Sequence, residues 1–199
     1  NGAGKTTLMK LAAGLLVPTG GSLRVCGQAP GPQTKARVAY LPERTYLPAG
    51  LRVREALELF CDFYADFSRE KAVSMLADLK IQPGDKISAM SKGTREKVQL
   101  VLVMSRAAGL YLLDEPENSL SADKQLELAD YLAESARYAG CQMVIATHSP
   151  FLLALPGAKI YDFDTHPVEV RPWTALHAVR VYAEFFKQHE REFTEADGY

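Results

Sequence analysis

The chain is poor in cysteine: Cys26, Cys61 and Cys141 are three among 199 residues. They are odd in number, far apart and outside any CxxC pair, so neither a disulfide framework nor a zinc site is indicated and a reducing cytoplasm is the simplest setting. Long apolar runs are lacking too. No stretch approaches the roughly 20 residues that cross a bilayer, so any membrane-spanning partner must be a separate chain. Neither charge is in excess, with 23 Lys and Arg against 24 Asp and Glu. They are scattered, so nothing in the charge supports binding to nucleic acid or to an anionic membrane surface. His166, His177 and His189 show no metal-ligand spacing. No internal repeat, low-complexity tract or signal peptide is evident, and the first residue is not Met. What remains is an ordinary globular composition, 47% hydrophobic and 24% charged, enough for one core or one core with a small satellite.

Punctuation and periodicity divide the chain. After a Gly-rich start, Leu8, Leu11, Ala12 and Leu15 recur at helical spacing until Pro18, Gly20 and Gly21. SLRVC (Ser22 to Cys26) and RVAYL (Arg37 to Leu41) read as strands around a Gly/Pro-rich loop. Two helical patterns fill 53–80, and a third runs from Ser91, a plausible N-cap, to Ala107. GLYLLDE (109–115) is apolar without alternation, as expected of a parallel strand covered on both faces. A helix over 122–138 and a strand QMVIAT (142–147) continue a βαβ-like pattern. A strand over 158–163 and a last helix over 174–189 follow, the helix carrying an apolar stripe of Leu176, Val179, Tyr182, Phe185 and Phe186 expected to pack on the chain's own core. The expectation is an α/β fold in one domain, 1–199, with a helical subdomain at about 51–106 and a C-terminal strand and helix at about 156–199.

The first residues, NGAGKTT, supply the second part of a phosphate-binding loop, G-x-x-x-x-G-K-[ST]. In such a loop backbone N–H groups cradle phosphate oxygens, the Lys reaches the β and γ phosphates, and the hydroxyl holds Mg²⁺. Asn1, Gly2, Ala3, Gly4, Lys5, Thr6 and Thr7 are the candidates, with a helix N-terminus facing the anion. The motif's first Gly and its preceding strand would lie upstream of Asn1, so the chain reads as N-terminally truncated. The second half of the site is Asp114 and Glu115 at the end of the apolar strand. There a carboxylate can hold the Mg²⁺ shell at the sheet's C-terminal edge, and the adjacent Glu can polarise an attacking water.

These motifs resemble the ATP-binding cassette (ABC) superfamily: NGAGKTT its Walker A, YLLDEP its Walker B, and MSKGT (Met90 to Thr94) its signature, with Lys92 in place of a Gly. The resemblance implies a P-loop ATPase with a helical subdomain, ATP and Mg²⁺ as ligands, and Ser91, Lys92, Gly93 and Thr94 contacting the γ-phosphate held by a second subunit in a head-to-tail dimer. YLPERTYLP falls at the Q-loop, with Glu43 at the usual Gln position as a further metal ligand beside Thr6 and Asp114. Glu115 is then the catalytic carboxylate, and His148, after QMVIAT, the γ-phosphate sensor. The front of the chain, to Pro116, is similar to bacterial ABC transporter subunits. From about 112 onward, NSLS (with Ser121 where an Asp is usual), THSP and the tail are similar to small soluble ATPases of the SMC and RecF group. Two functions follow: the cytoplasmic motor of an ABC transporter, peripheral on the inner face of the membrane beside a separate permease, or a soluble ATPase with a nucleic-acid or defence role.

Overall fold

The computed structural model describes residues 4–196. The chain divides into two compact units, one reaching to Thr147 and one beginning at His148. Among the described residues, no helix is long and apolar enough to cross a membrane.

The first unit is built on three parallel strands, β1 (Val38–Leu41), β2 (Leu110–Asp114) and β3 (Gln142–Ala146), in that order across the sheet. Every residue of β2 is buried, as its unalternating sequence requires of a central strand. Tyr40 pairs with Leu112 and Asp114 with Ala146. Because side chains alternate along a strand, Leu110, Leu112 and Asp114 share one face of β2, and Val38 and Tyr40 share it on β1. Helix α1 (Lys5–Ala12) covers this face: Ala13, just past its end, joins Val25, Val38, Leu110 and Leu112 in one apolar cluster, with Tyr40 against it.

Two expectations fail in this region. Ser22–Cys26 is not a strand; Val25 and Gln28 exchange backbone hydrogen bonds of 2.7 and 3.1 Å around Cys26 and Gly27, both at positive φ, which makes a tight turn. The Gly/Pro-rich loop holds a short helix, α2 (Pro32–Arg37), begun by Pro32 at its first position and by Thr34, whose hydroxyl accepts from the Gly31 N–H at 2.8 Å. In α1 the buried residue is Met9, while Leu8 and Leu15 of the expected stripe are 46% and 59% exposed.

Between β1 and β2 lies the helical insertion, with α3 (Val53–Phe63), α4 (Arg69–Asp78) and α5 (Lys92–Met104) around their own core of Val53, Leu57, Leu76, Ile87, Val98 and Leu102. Ser91 caps α5 as expected, its Oγ accepting from the Thr94 N–H at 3.1 Å. Arg106 pins the insertion to the sheet. Its buried guanidinium donates to the Val38 and Ala36 carbonyls at 2.7 Å, pairs with Asp66 at 2.9 Å, and lies 3.9 Å from the centre of the Tyr64 ring. After β2, helix α6 (Ala122–Tyr138) leads to β3.

The second unit contains α7 (Pro150–Leu153), the antiparallel pair β4 (Tyr161–Asp162) and β5 (Glu169–Val170), α8 (His177–Gln188) and α9 (Glu190–Ala196). The strand expected over 158–163 is thus two residues long. Of the expected apolar stripe, Leu176 and Val179 are buried, whereas Tyr182, Phe185 and Phe186 are each half exposed, the two Phe rings meeting edge to face.

Replacing Arg106 by Met should leave two carbonyls and Asp66 without their donor inside the protein. A loss of about 3 kcal/mol is expected in urea unfolding; a loss well under 1 kcal/mol would show that the clamp is not what joins insertion to sheet.

Candidate functional site

Of the phosphate-loop candidates, Asn1, Gly2 and Ala3 lie outside the described residues. Gly4 stands at φ 83°, a left-handed conformation that glycine adopts without strain, and it caps the start of α1. Lys5 and Thr6 form the first turn, half-buried, and Thr7 is exposed. The Thr6 hydroxyl is near enough to Asp114 to lower its pKa, so the helix start and the end of β2 do meet.

Asp114 is 3% exposed, and its Oδ2 is buried without a hydrogen-bond partner. Burial raises its pKa most, against the Thr6 hydroxyl, which lowers it; Glu115 and Glu43 raise it further and Lys10 lowers it. Tyr40 lies on the same face one strand over. Its hydroxyl is also buried without a partner, and burial, then Asp114 and Glu43, push its pKa up to about 12. Glu43 is exposed, in the loop after β1, and acts electrostatically on both groups. Hydroxyl and carboxylate oxygens converging beside an unpartnered buried carboxylate oxygen are the donor set that suits Mg²⁺.

Glu115 follows directly at φ 52°, a conformation uncommon outside glycine, held by its N–H to the Ala146 carbonyl at 2.8 Å. Its Oε2 accepts from the Asn118 side-chain amide at 3.0 Å. The chain direction thus breaks sharply between two adjacent carboxylates, Asp114 on the α1 face and Glu115 beyond the strand end. Glu117 is buried and accepts from Thr147 at 2.5 Å, tying the turn after β2 to the residue after β3. His148 is exposed and opens the second unit, two residues beyond the end of β3.

At the start of α5, Ser91 and Lys92 are exposed, and Lys92 lies 3.6 Å from Glu96. Gly93 has no room for a side chain, since a Cβ there would stand 2.9 Å from the Cβ of Ser119. Ser119, at φ 62°, donates to Glu96. The string MSKGT is therefore packed against the turn that follows Glu115. Ser121 is exposed at the N-cap of α6 and makes no side-chain capping bond. Sequence reading missed Asn118, Tyr40 and the Gly93–Ser119 contact; the nearest available signal was the polar run Glu117 to Ser119 after the strand.

A family profile described as "ABC transporter" matches residues 1–118. The chain belongs to the ABC transporter family. It is an α/β P-loop ATPase, and an ATP-binding subunit of the ABC transporter type. It is 31% identical over 151 residues to the cytochrome c biogenesis ATP-binding export protein CcmA of Rhodopseudomonas palustris, covering 75% of each chain. With the CcmA of Paramagnetospirillum magneticum the identity is 32% over 179 residues, 84% of this chain and 80% of that one. With the zinc import ATP-binding protein ZnuC of Saccharophagus degradans it is 28%, covering 83% of this chain and 63% of the relative. A solved ATP-binding subunit of an ABC transporter superposes with a TM-score of 0.64 at 26% identity, over 74% of this chain and 65% of that one. An alignment of 179 residues on a chain of 199 cannot stop at Pro116, so the likeness to transporter ATPases runs into the back of this ABC protein. The reading as a soluble SMC- or RecF-like ATPase finds no support among these relatives.

Gly93→Ala should lower the stability of this ABC ATPase by about 1–3 kcal/mol through overpacking. Ser119→Gly should restore most of it, because it vacates the contested space and suits the positive φ. Urea unfolding of the two single variants and the double decides; no recovery in the double would refute the contact.

Proposed function

We propose that this ABC ATPase binds Mg-ATP with Lys5, Thr6, Asp114 and Glu43 and hydrolyses it with Glu115 as the base that draws the proton from the attacking water. The single observation that carries the reading is the Asp114 carboxylate: buried, near the Thr6 hydroxyl, with one oxygen left unpartnered at the C-terminal edge of the sheet.

Asn1 to Thr7 would wrap the phosphates with backbone N–H groups, and the Lys5 ammonium would neutralise the β and γ oxygens. Thr6, Asp114 and Glu43 are the residues that would hold Mg²⁺, which when bound would neutralise charge on the β and γ phosphates. Glu115, kept in place by Asn118, would take one proton as the water oxygen bonds to the γ-phosphorus and the bond to ADP breaks. His148 would stabilise charge on the departing phosphate. Ser91, Lys92, Gly93 and Thr94 would face the nucleotide of a second subunit, head to tail; the exposure of Ser91 and Lys92 agrees with that use. Both compact units would belong to one ATPase domain, working in the cytoplasm against a separate permease on the inner face of the membrane.

Glu115→Gln keeps the shape of the side chain but cannot accept a proton. On the full-length protein it should bind ATP as tightly as the wild type, hydrolyse it at least about 100-fold more slowly, and accumulate as an ATP-bound dimer in light scattering. Turnover near wild type would remove Glu115 from the role of base.

A further inference from the structure

We propose that Gln99 is a positioning residue: it fixes the loop that carries Glu43 to the signature helix α5, and thereby sets where the Glu43 carboxylate stands relative to Asp114. The proposal rests on the reading of Glu43 as a metal ligand and adds to it the residue that holds it there.

Gln99 is 1% exposed, and Leu102 and Val103, one turn further along α5 beside it, are 0% and 2% exposed. A primary amide at such depth is costly unless both its ends are hydrogen-bonded. Both are. Its Oε1 accepts from the Tyr46 N–H at 2.9 Å, and its Nε2 donates to the Pro42 carbonyl at 3.4 Å. The two partners are the two ends of the segment 42–46, which is neither helix nor strand, and they lie 53 and 57 residues from Gln99 in the chain. One side chain therefore brackets the loop, with Glu43 inside the bracket.

The same helix grips the other nucleotide-facing segment. Its first turn carries Gly93, against Ser119, and its second Glu96, which accepts from Ser119. Within the 13 residues of α5, the signature turn, the turn after Glu115 and the loop of Glu43 are thus attached to one rigid element. A leucine or methionine would fill the position of Gln99 as well, but neither can accept from one end of the loop and donate to the other. Its chemistry serves the loop's geometry rather than the core.

The test compares nucleotide affinity with and without metal, using a fluorescent non-hydrolysable ATP analogue on the full-length protein, in Mg²⁺ and in EDTA. Gln99→Met keeps the volume and removes both bonds. Tyr46→Pro removes the loop's donor N–H and leaves α5 untouched, so it serves if the first variant folds poorly. In each, affinity in EDTA should match the wild type while affinity in Mg²⁺ falls about three- to tenfold, the worth of one or so hydrogen bonds. Glu43→Ala should show the same metal-specific loss, and Glu43→Ala combined with Gln99→Met should lose no more than Glu43→Ala alone. Equal losses in Mg²⁺ and EDTA, or full additivity in the double variant, would make Gln99 a packing residue only. A metal-specific loss in Glu43→Ala that neither Gln99→Met nor Tyr46→Pro shares sinks this proposal and leaves the metal reading standing. No metal-specific loss in Glu43→Ala sinks both.

Discussion

A carboxylate that has been taken out of water and given too few partners is the constraint around which this site is arranged. Asp114 ends a strand whose every residue is buried, and strand alternation turns it onto the face covered by α1. Thr6 and Lys10 act to keep it ionised, but burial and the neighbouring Glu115 and Glu43 outweigh them. Nearby Tyr40 offers a hydroxyl that is also unsatisfied. Such an arrangement is electrostatically poor by itself, and under the proposed reading a hard cation would make it favourable.

The surrounding architecture holds that arrangement still. Arg106 fastens the helical insertion to the backbone of β1 and the residues before it, so α5 lies at a fixed height over the sheet. From that helix Gln99 reaches the loop after β1, and Gly93 with Glu96 meets the turn after β2. The two positive φ values in that turn, at Glu115 and Ser119, mark where the backbone is bent to separate the Asp114 and Glu115 carboxylates and to bring Ser119 under the signature. Local strain and long-range hydrogen bonds are two sides of one construction.

Much of this was legible in the sequence. The unalternating run 109–115 announced a covered parallel strand, Ser91 announced the start of α5, and the family motifs named the ATPase. Three kinds of feature were not legible. The tight turn at Val25 to Gln28 sits in a string with good strand propensity, and flanking glycines decided against pairing. The helix at Pro32–Arg37 is hidden because its cap is a Thr hydroxyl reaching back to a Gly N–H, in a stretch whose composition says loop. Gln99 carries no periodic signal at all, since its partners are backbone atoms more than fifty residues away and the helix around it reads as ordinary core. The exposed aromatics of α8 were misjudged for the opposite reason: an apolar stripe states that a face can be covered, not that this chain covers it.

The central claim, that the surroundings of Asp114 disfavour its charge until a cation is bound, is tested most directly by the stability of Asp114→Asn against pH in buffer free of metal and nucleotide. A carboxylate whose folded pKa is raised adds stability below its unfolded value, near 3.8, and loses it as pH rises through the folded value. At neutral pH the ionised group is therefore a cost. Relief of that cost should make Asp114→Asn more stable than the wild type in urea unfolding at pH 7. The advantage should shrink as the pH is lowered into the carboxylate range, and Mg-ATP should stabilise the wild type but not the variant. An Asn variant that is less stable than the wild type at pH 7, with the same response to Mg-ATP, would mean that Asp114 is a structural partner of Thr6 and would contradict the account.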